Sequence, residues 1–260
     1  MNEENINSLD GENIFEKIQE LAGQVGDHFS VLEEKIDVRL QMQYFRFSRA
    51  VKKRKNQGDV MLQVEDLKNQ DLPDDVIKTI LVKLASVENV EAYRAIEHFA
   101  GNPKPGLRDW AILALQESRM LLESSLLDEN QVFISSGLGG KGQKLRYFII
   151  LVSKKGNFFS DYQKRLIESE FETSLKKHQG EIEEIVHSDR FSTLLALIPL
   201  TAPLRDIFKE AVDECNEYGN FLMENFLITN IKTFSQDEIS SFFDSEGNFS
   251  PETPDNKLPR

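Results

Sequence analysis

The segment Gln131–Val152, QVFISSGLGGKGQKLRYFIILV, decides the fold because the chain changes there from a helical to a mixed α/β pattern. Aromatic and β-branched residues stand on both sides of a glycine-rich loop, at 132–134 and again at 147–152. Short runs of such residues beside glycines are typical of β-strands. We therefore predict two strands joined by a hairpin loop that runs from Gly137 to Gly142.

The same loop carries the letters of a phosphate-binding motif, since Gly137, Gly139 and Gly142 match GxGxxG. A phosphate-binding loop of this kind opens into a helix whose N-terminal amides hold the anion. Here a strand follows, so a flexible hairpin is favoured over a phosphate site. Three cations near the loop keep an anion contact, or a small-ligand site of an enzyme, open as an alternative: Lys141, Lys144 and Arg146.

Composition limits the function classes. The chain has 260 residues, of which 40% are hydrophobic and 29% charged, as expected for a soluble globular protein with a sizeable core. Its formal net charge of −13 argues against a protein that coats nucleic acid or anionic membranes generally. No apolar run approaches the roughly 20 residues that span a bilayer, and no secretory signal pattern is present. A cytoplasmic location is expected, without a transmembrane segment.

The N-terminal part is predicted to be helical after a disordered start at residues 1–13. Apolar residues recur at steps of three and four from Ile14 to Val51, with Gly23 and Gly26 interrupting the series. Such a stripe packs against the protein's own core in the simpler interpretation. The alternative is a coiled-coil homodimer through this helix.

A basic cluster ends that helical stretch, and no acid lies between Asp37 and Asp59. On a helix, these cations would form a broad face able to meet RNA phosphates, an acidic partner or anionic lipid. A solvated helix end, where cations also suit the helix dipole, is the alternative. The cluster consists of Arg46, Arg49, Lys52, Lys53, Arg54 and Lys55.

Three helices are predicted between residues 72 and 127, beginning near Leu72, Val90 and Leu107. Within the third, Leu107-Arg108, Ala111 and Ala114-Leu115 resemble the second helix of a HEAT repeat. The resemblance implies close helix packing at the alanines, an arginine that supports the turn, and a protein-interaction surface. Solenoids need about three repeats, so a small helical array is expected.

The second half is predicted as a β-β-α-β-α-β domain with a mixed four-stranded sheet covered by helices. Its elements after the hairpin are a helix over 159–187, a buried strand over 191–200, a helix over 201–218 and a strand over 221–231. A short helix over 235–243 and a disordered tail from 244 follow. The predicted fold class is α+β, with a helical region at 14–128 and an α/β domain at 129–243.

No catalytic residue, cofactor or metal site is predicted. The four histidines lack metal-ligand spacing, no nucleophile elbow occurs, and the lone Cys215 is expected to be a buried small side chain. The sequence therefore favours a non-enzymatic interaction or scaffold protein that binds a partner protein through its helical region. An RNA- or ribonucleoprotein-binding factor using residues 46–55 is the first alternative, and an enzyme or ligand-binding domain at residues 137–142 the second.

Overall fold

A computed structural model of the chain describes residues 29–53, 60–67, 71–127, 132–188 and 190–245. The chain forms two compact units, one of Met1–Leu145 with Pro199–Thr201 and one of Arg146–Ile198 with Ala202–Arg260. The domain boundaries suggested by the sequence stay predictions. The disorder predicted for residues 1–13 and for most of the C-terminal tail falls outside the described residues.

The first unit is mostly helical. Its strands are β1 (Phe29–Val31), β2 (Val132–Ile134) and the short β3 (Gly140–Lys141). Its helices are α1 (Val38–Lys52), α2 (Gln63–Asp66), α3 (Asp74–Ala85), α4 (Val90–Gly101) and α5 (Arg108–Leu127), with a 3-10 turn at Val60–Leu62 before α2.

Helix α1 begins at a capped end and buries one face. The Asp37 side chain accepts hydrogen bonds from the amides of Arg39 and Leu40, at 2.7 and 3.3 Å, which satisfies donors that have no partner within the helix. The buried side chains recur at steps of three and four: Gln41, Tyr44, Ser48 and Val51. This spacing places them on one stripe that packs into the core of the unit.

Helices α3, α4 and α5 pack against one another around a shared core instead of stacking as repeated pairs. Trp110 on α5 is 5% exposed and makes edge contacts with Tyr44 and Phe47, as expected for a packing residue. Arg108 does not support a turn as a HEAT arginine would, since its guanidinium is exposed and pairs with the adjacent Asp109 at 3.3 Å. The predicted HEAT-like array is therefore wrong.

The second unit holds most of a larger sheet. Its strands are β4 (Lys144–Val152), β5 (Glu181–His187), β6 (Phe191–Pro199) and β7 (Leu227–Thr229). Helix α6 (Asp161–Lys177) lies between β4 and β5 in the chain, α7 (Leu204–Glu217) lies between β6 and β7, and α8 (Gln236–Ser245) comes last. A 3-10 turn at Lys154–Gly156 follows β4. The strands lie in the order β7-β4-β6-β5, with β3 beside the start of β4. This is the β-α-β-β-α-β order of the ferredoxin-like arrangement, in which β6 separates β4 from β5.

The predicted fold class, mixed α/β with helices first and an α/β part second, is confirmed. The strand pairing differs from the expected mixed sheet. Strand β2 pairs in parallel with β1 and does not form a hairpin with β4, whose hairpin partner is β3. The sheet is antiparallel, and the strand at 191–200 pairs antiparallel with β5, so the expectation of a parallel central strand there is wrong.

Two predicted helices are too long. The helix predicted over 159–187 ends at Lys177, and Glu181–His187 is strand β5. Ile182 and Ile185 are three positions apart, a spacing typical of a helix. A β-bulge between Ile182 and Glu184 inserts one extra residue, which accommodates this spacing in a strand. The N-terminal helix is likewise interrupted, because Phe29–Val31 is a strand. Residues 14–28 lie outside the described part of the chain.

Candidate nucleic-acid interface

The exposed face of α1 is basic. Arg39, Met42, Arg46, Arg49 and Lys53 are exposed and follow one another at steps of three or four residues. At 3.6 residues per turn they fall within an arc of about 80° on the side opposite the buried stripe. Within the described residues, none of the four cations forms an ion pair. We call Arg39, Arg46, Arg49 and Lys53 the basic face.

Lys52 belongs to a different environment from its neighbours in the predicted cluster. Its ammonium lies 2.6 Å from a carboxylate oxygen of Glu117, which also accepts hydrogen bonds from the hydroxyls of Tyr44 and Ser48. Burial and the nearby Glu117 raise the pKa of Tyr44 well above its ordinary value. Lys52 therefore neutralises a partly buried carboxylate between α1 and α5, and it is not counted in the basic face.

The sequence found part of the basic face and missed Arg39. Arg46 and Lys53 were predicted as binding residues together with Arg49, and the structure places all three on one surface. Arg39 lies seven residues before Arg46, and this heptad spacing was the available signal. Arg54 and Lys55, also predicted, lie outside the described residues.

The phenylalanines between these cations are half-buried and pack against other aromatic rings. Phe45 is half-buried and contacts the rings of Tyr44 and Phe133, while Phe47 contacts the ring of Trp110. Neither ring is available as a stacking platform for bases. The basic face therefore offers charge and hydrogen-bond donors without aromatic contacts, a composition suited to phosphates.

The glycine-rich loop packs closely against neighbouring backbone. A Cβ at Gly139 would lie 2.4 Å from the Glu33 carbonyl oxygen, and one at Gly140 would lie 2.1 Å from the Lys144 carbonyl oxygen. The amide of Gly142 donates to the Glu33 carboxylate at 3.2 Å. An acidic side chain thus occupies a donor that an anion would need, and the alternative of a phosphate or ligand site at 137–142 is corrected.

The three cations predicted around this loop fall in different surroundings. Lys141 is exposed on β3, whereas Lys144 is half-buried at the start of β4. Arg146 belongs to the second unit, where its guanidinium forms a two-pronged ion pair with Glu183. Because this ion pair engages the guanidinium, Arg146 has less charge to offer a phosphate than an unpaired arginine, and its predicted role stays a prediction. The roles predicted for Lys141 and Lys144 stay predictions.

A constellation that resembles a nucleophilic triad occurs in the second unit. His187 Nδ1 lies 2.8 Å from the Ser192 hydroxyl, and Nε2 lies 3.1 Å from a carboxylate oxygen of Glu168. Ser192 is fully buried and directly opposite His187 in the β5–β6 ladder. A nucleophile must be reached by its substrate, so this arrangement secures a strand pair and provides no catalytic site.

Cys215 is fully buried on α7, as predicted, and its thiol points towards the Leu166 carbonyl at 3.9 Å. Burial, with smaller effects of Glu170 and Glu214, raises the pKa of the thiol to about 12. Because the folded pKa lies above the unfolded value of about 8.5, the stability that this group contributes is complete below about pH 8.5. It is lost as the pH rises towards 12.

We expect iodoacetamide to alkylate Cys215 at pH 8 about 1000-fold more slowly in the folded protein than in the unfolded one. The raised pKa of about 12 leaves correspondingly less thiolate, the reactive form. Mass spectrometry of time points with and without 6 M guanidinium measures both rates on the same single cysteine. Rates that agree within tenfold would contradict a buried, neutral thiol.

The described residues show neither a metal-binding cluster nor a membrane-spanning helix. Those residues contain no group of three or more His, Cys, Asp or Glu side chains arranged to hold a metal ion. Among the helices described, none combines the length and the apolar character needed to cross a membrane.

Comparisons with known proteins find similar solved structures, including the following two. A candidate transposase from Deinococcus radiodurans R1 is 13% identical, with a TM-score of 0.33, over 40% of this chain and 91% of that chain. A REP-associated tyrosine transposase bound to a REP hairpin is 11% identical, with a TM-score of 0.30, over 37% of this chain and 61% of that chain. No protein-family model and no curated protein matches the chain. Similarity at this level assigns no activity to the chain.

The predicted function is corrected by these findings. The two similar structures described above are a candidate transposase and a transposase, and neither is a HEAT-repeat or scaffold protein. The interpretation as a non-enzymatic interaction or scaffold protein with a partner protein is therefore wrong. The same correction applies to the alternative of an RNA- or ribonucleoprotein-binding factor.

Proposed function

We propose that this protein binds DNA through the basic face of α1. The observation that carries the proposal is the single exposed stripe of Arg39, Arg46, Arg49 and Lys53, opposite the buried face of the same helix. Arginine and lysine side chains with no acidic partner can neutralise phosphates and release their condensed counterions. A cytoplasmic location, as the sequence predicts, is part of this proposal.

The dimensions of the basic face suit a short stretch of the phosphate backbone. From Arg39 to Lys53 the helix rises about 21 Å at roughly 1.5 Å per residue. Phosphates on one strand of duplex DNA follow at about 3.4 Å along the axis, so the face covers about six base pairs. Contacts of this kind position a protein on DNA without reading the base sequence.

The strongly negative net charge of −13 is compatible with such a local site. Exposed charges more than a Debye length away, about 8 Å at physiological ionic strength, are largely screened. The acidic remainder opposes adhesion of other surfaces to DNA and leaves the basic face as the favoured contact. We expect one orientation on the duplex and not general coating.

The test is the salt dependence of DNA binding. Fluorescence anisotropy with a fluorescein-labelled 20-base-pair duplex should give a slope of log affinity against log salt of about −3.6, since four cations contribute roughly −0.9 each. Affinity should then fall about 150-fold between 50 and 200 mM NaCl. A single strand of the same length should give a slope of about −2.8. A slope near zero, or no binding at 50 mM NaCl, would refute the proposal.

A further inference from the structure

The second unit contains an apolar cavity of about 510 Å³ that the proposed DNA contact does not use. It lies between strands β4 and β7 and helix α8, and cavities of this size accommodate small organic ligands. Its walls are Ile150, Val152, Leu227, Phe234, Ile239 and Phe242. Its polar margin consists of Asn225, Asp237, Glu238 and Ser241.

One wall of the cavity is formed by side chains of the paired strands β4 and β7. Ile150 is directly opposite Leu227 in the β4–β7 ladder, and Val152 lies two residues further along β4 on the same face. Leu227 remains 39% exposed, although it lines an apolar wall. Phe242, which also lines the cavity, is exposed as well, and contiguous exposed apolar area is a feature of ligand-binding surfaces.

Helix α8 covers the cavity, and hydrogen bonds and an ion pair stabilise its first turn. The Ser235 hydroxyl accepts from the Glu238 amide at 3.2 Å, and the Glu238 carboxylate accepts from the Ser235 amide at 2.7 Å, forming a capping box. Lys232 pairs with Glu238 at 3.2 Å and lies over the ring of Phe234. Ile239 is 3% exposed, whereas Phe242, one turn later, is 45% exposed.

The charged residues of the margin are the acids Asp237 and Glu238, which differ in their ion-pair partners. Glu238 accepts a hydrogen bond from the Ser235 amide and pairs with Lys232, and these two contacts lower the pKa of its carboxyl group. Asp237 is exposed, and no side chain in the described residues forms an ion pair with it. A cationic group at the mouth would therefore find Asp237 uncompensated.

We propose that this cavity binds a small amphipathic amine, with its apolar body between the sheet and α8 and its ammonium group beside Asp237. The apolar walls favour a hydrocarbon body, because burying it removes apolar surface from water on both sides. The negative charge of Asp237 at the mouth disfavours the carboxylate of a fatty acid and favours a cation. The site lies in the second unit and is independent of the basic face on α1.

Three probes of equal chain length test the proposal by isothermal titration calorimetry of the full chain: decylamine, decanol and decanoate, below their aggregation concentrations. Decylamine should bind with one site per chain and at least tenfold more tightly than decanol, and decanoate should bind most weakly. Decanoate binding as tightly as decylamine, or no saturable binding of any probe, would overturn the proposal.

Two pairs of variants separate the cavity from general attraction to an acidic protein. Asp237→Asn should reduce decylamine affinity to that of decanol, whereas Asp213→Asn, an exposed position on α7, should leave the tenfold preference intact. Ser241→Trp places a large side chain into the cavity and should weaken decylamine and decanol at least tenfold. Ser240→Trp on the same helix, outside the cavity lining, should not. Equal binding to the two tryptophan variants would overturn the proposal.

Discussion

Reversing three charges on the basic face, as Arg46→Glu, Arg49→Glu and Lys53→Glu together, is expected to weaken DNA binding at least about 100-fold at 50 mM NaCl. The three side chains are exposed and point away from the core, so the variant should fold normally. Each substitution removes one phosphate contact and adds a repulsive charge. The salt slope should shrink from about −3.6 to about −1, because only Arg39 remains.

A matched triple variant separates the basic face from net charge. Arg165→Glu, Lys176→Glu and Lys209→Glu change the net charge by the same amount at exposed positions on α6 and α7. This variant should bind the duplex within about threefold of the unmodified protein, since screening confines the effect of distant charges. If both triple variants lose affinity equally, binding reflects overall charge and the basic face is not the site.

Replacing Gly140 by alanine is expected to destabilise the first unit by about 3 kcal/mol or more. The new Cβ would lie 2.1 Å from the Lys144 carbonyl oxygen and 2.7 Å from a methyl carbon of Val31. The carbonyl belongs to the backbone of β4 and cannot turn aside as a side chain could. The β3–β4 hairpin, in which Gly140 pairs with Leu145, would have to open.

Gly142→Ala is the control for this change. Gly142 has a φ of +58°, and a Cβ there would meet nothing within 4 Å, so only the strain of the left-handed backbone remains. That strain costs about 1–2 kcal/mol. Urea unfolding followed by the fluorescence of Trp110, the single tryptophan and a core residue of the first unit, measures both variants. A loss at Gly140 no larger than at Gly142 would contradict close backbone packing.

Local patterns in the sequence determined much of the helical part. Pro73 precedes α3, Asn89 caps α4, and the break at 101–106 separates α4 from α5, as the residue types indicate. The concentration of cations after Asp37 likewise showed that α1 would carry a basic surface. These features depend on the conformational preferences of residues that are close in the sequence, so they can be predicted from the sequence alone.

Tertiary structure alone decided which strands pair and, among the described residues, which cations pair with acids. The residues at 132–134 are predicted as a strand from their types alone, but the partner strand β1 lies about a hundred residues earlier in the chain. The apolar spacing of β5 resembles a helix until the bulge at Ile182 is seen in the β5–β6 ladder. Pairings of this kind depend on contacts between distant segments, which no local pattern records.

The basic cluster on α1 also has properties that the sequence determined and properties that only the tertiary structure decided. Lys52 and Lys53 are adjacent and chemically identical in the sequence. Only the packing of α5 against α1 brings Glu117 to Lys52 and leaves Lys53 exposed. Charge density was therefore determined by the sequence, whereas the set of cations that can meet a phosphate was decided by the fold, because an ion pair with a distant residue removes a charge from the surface.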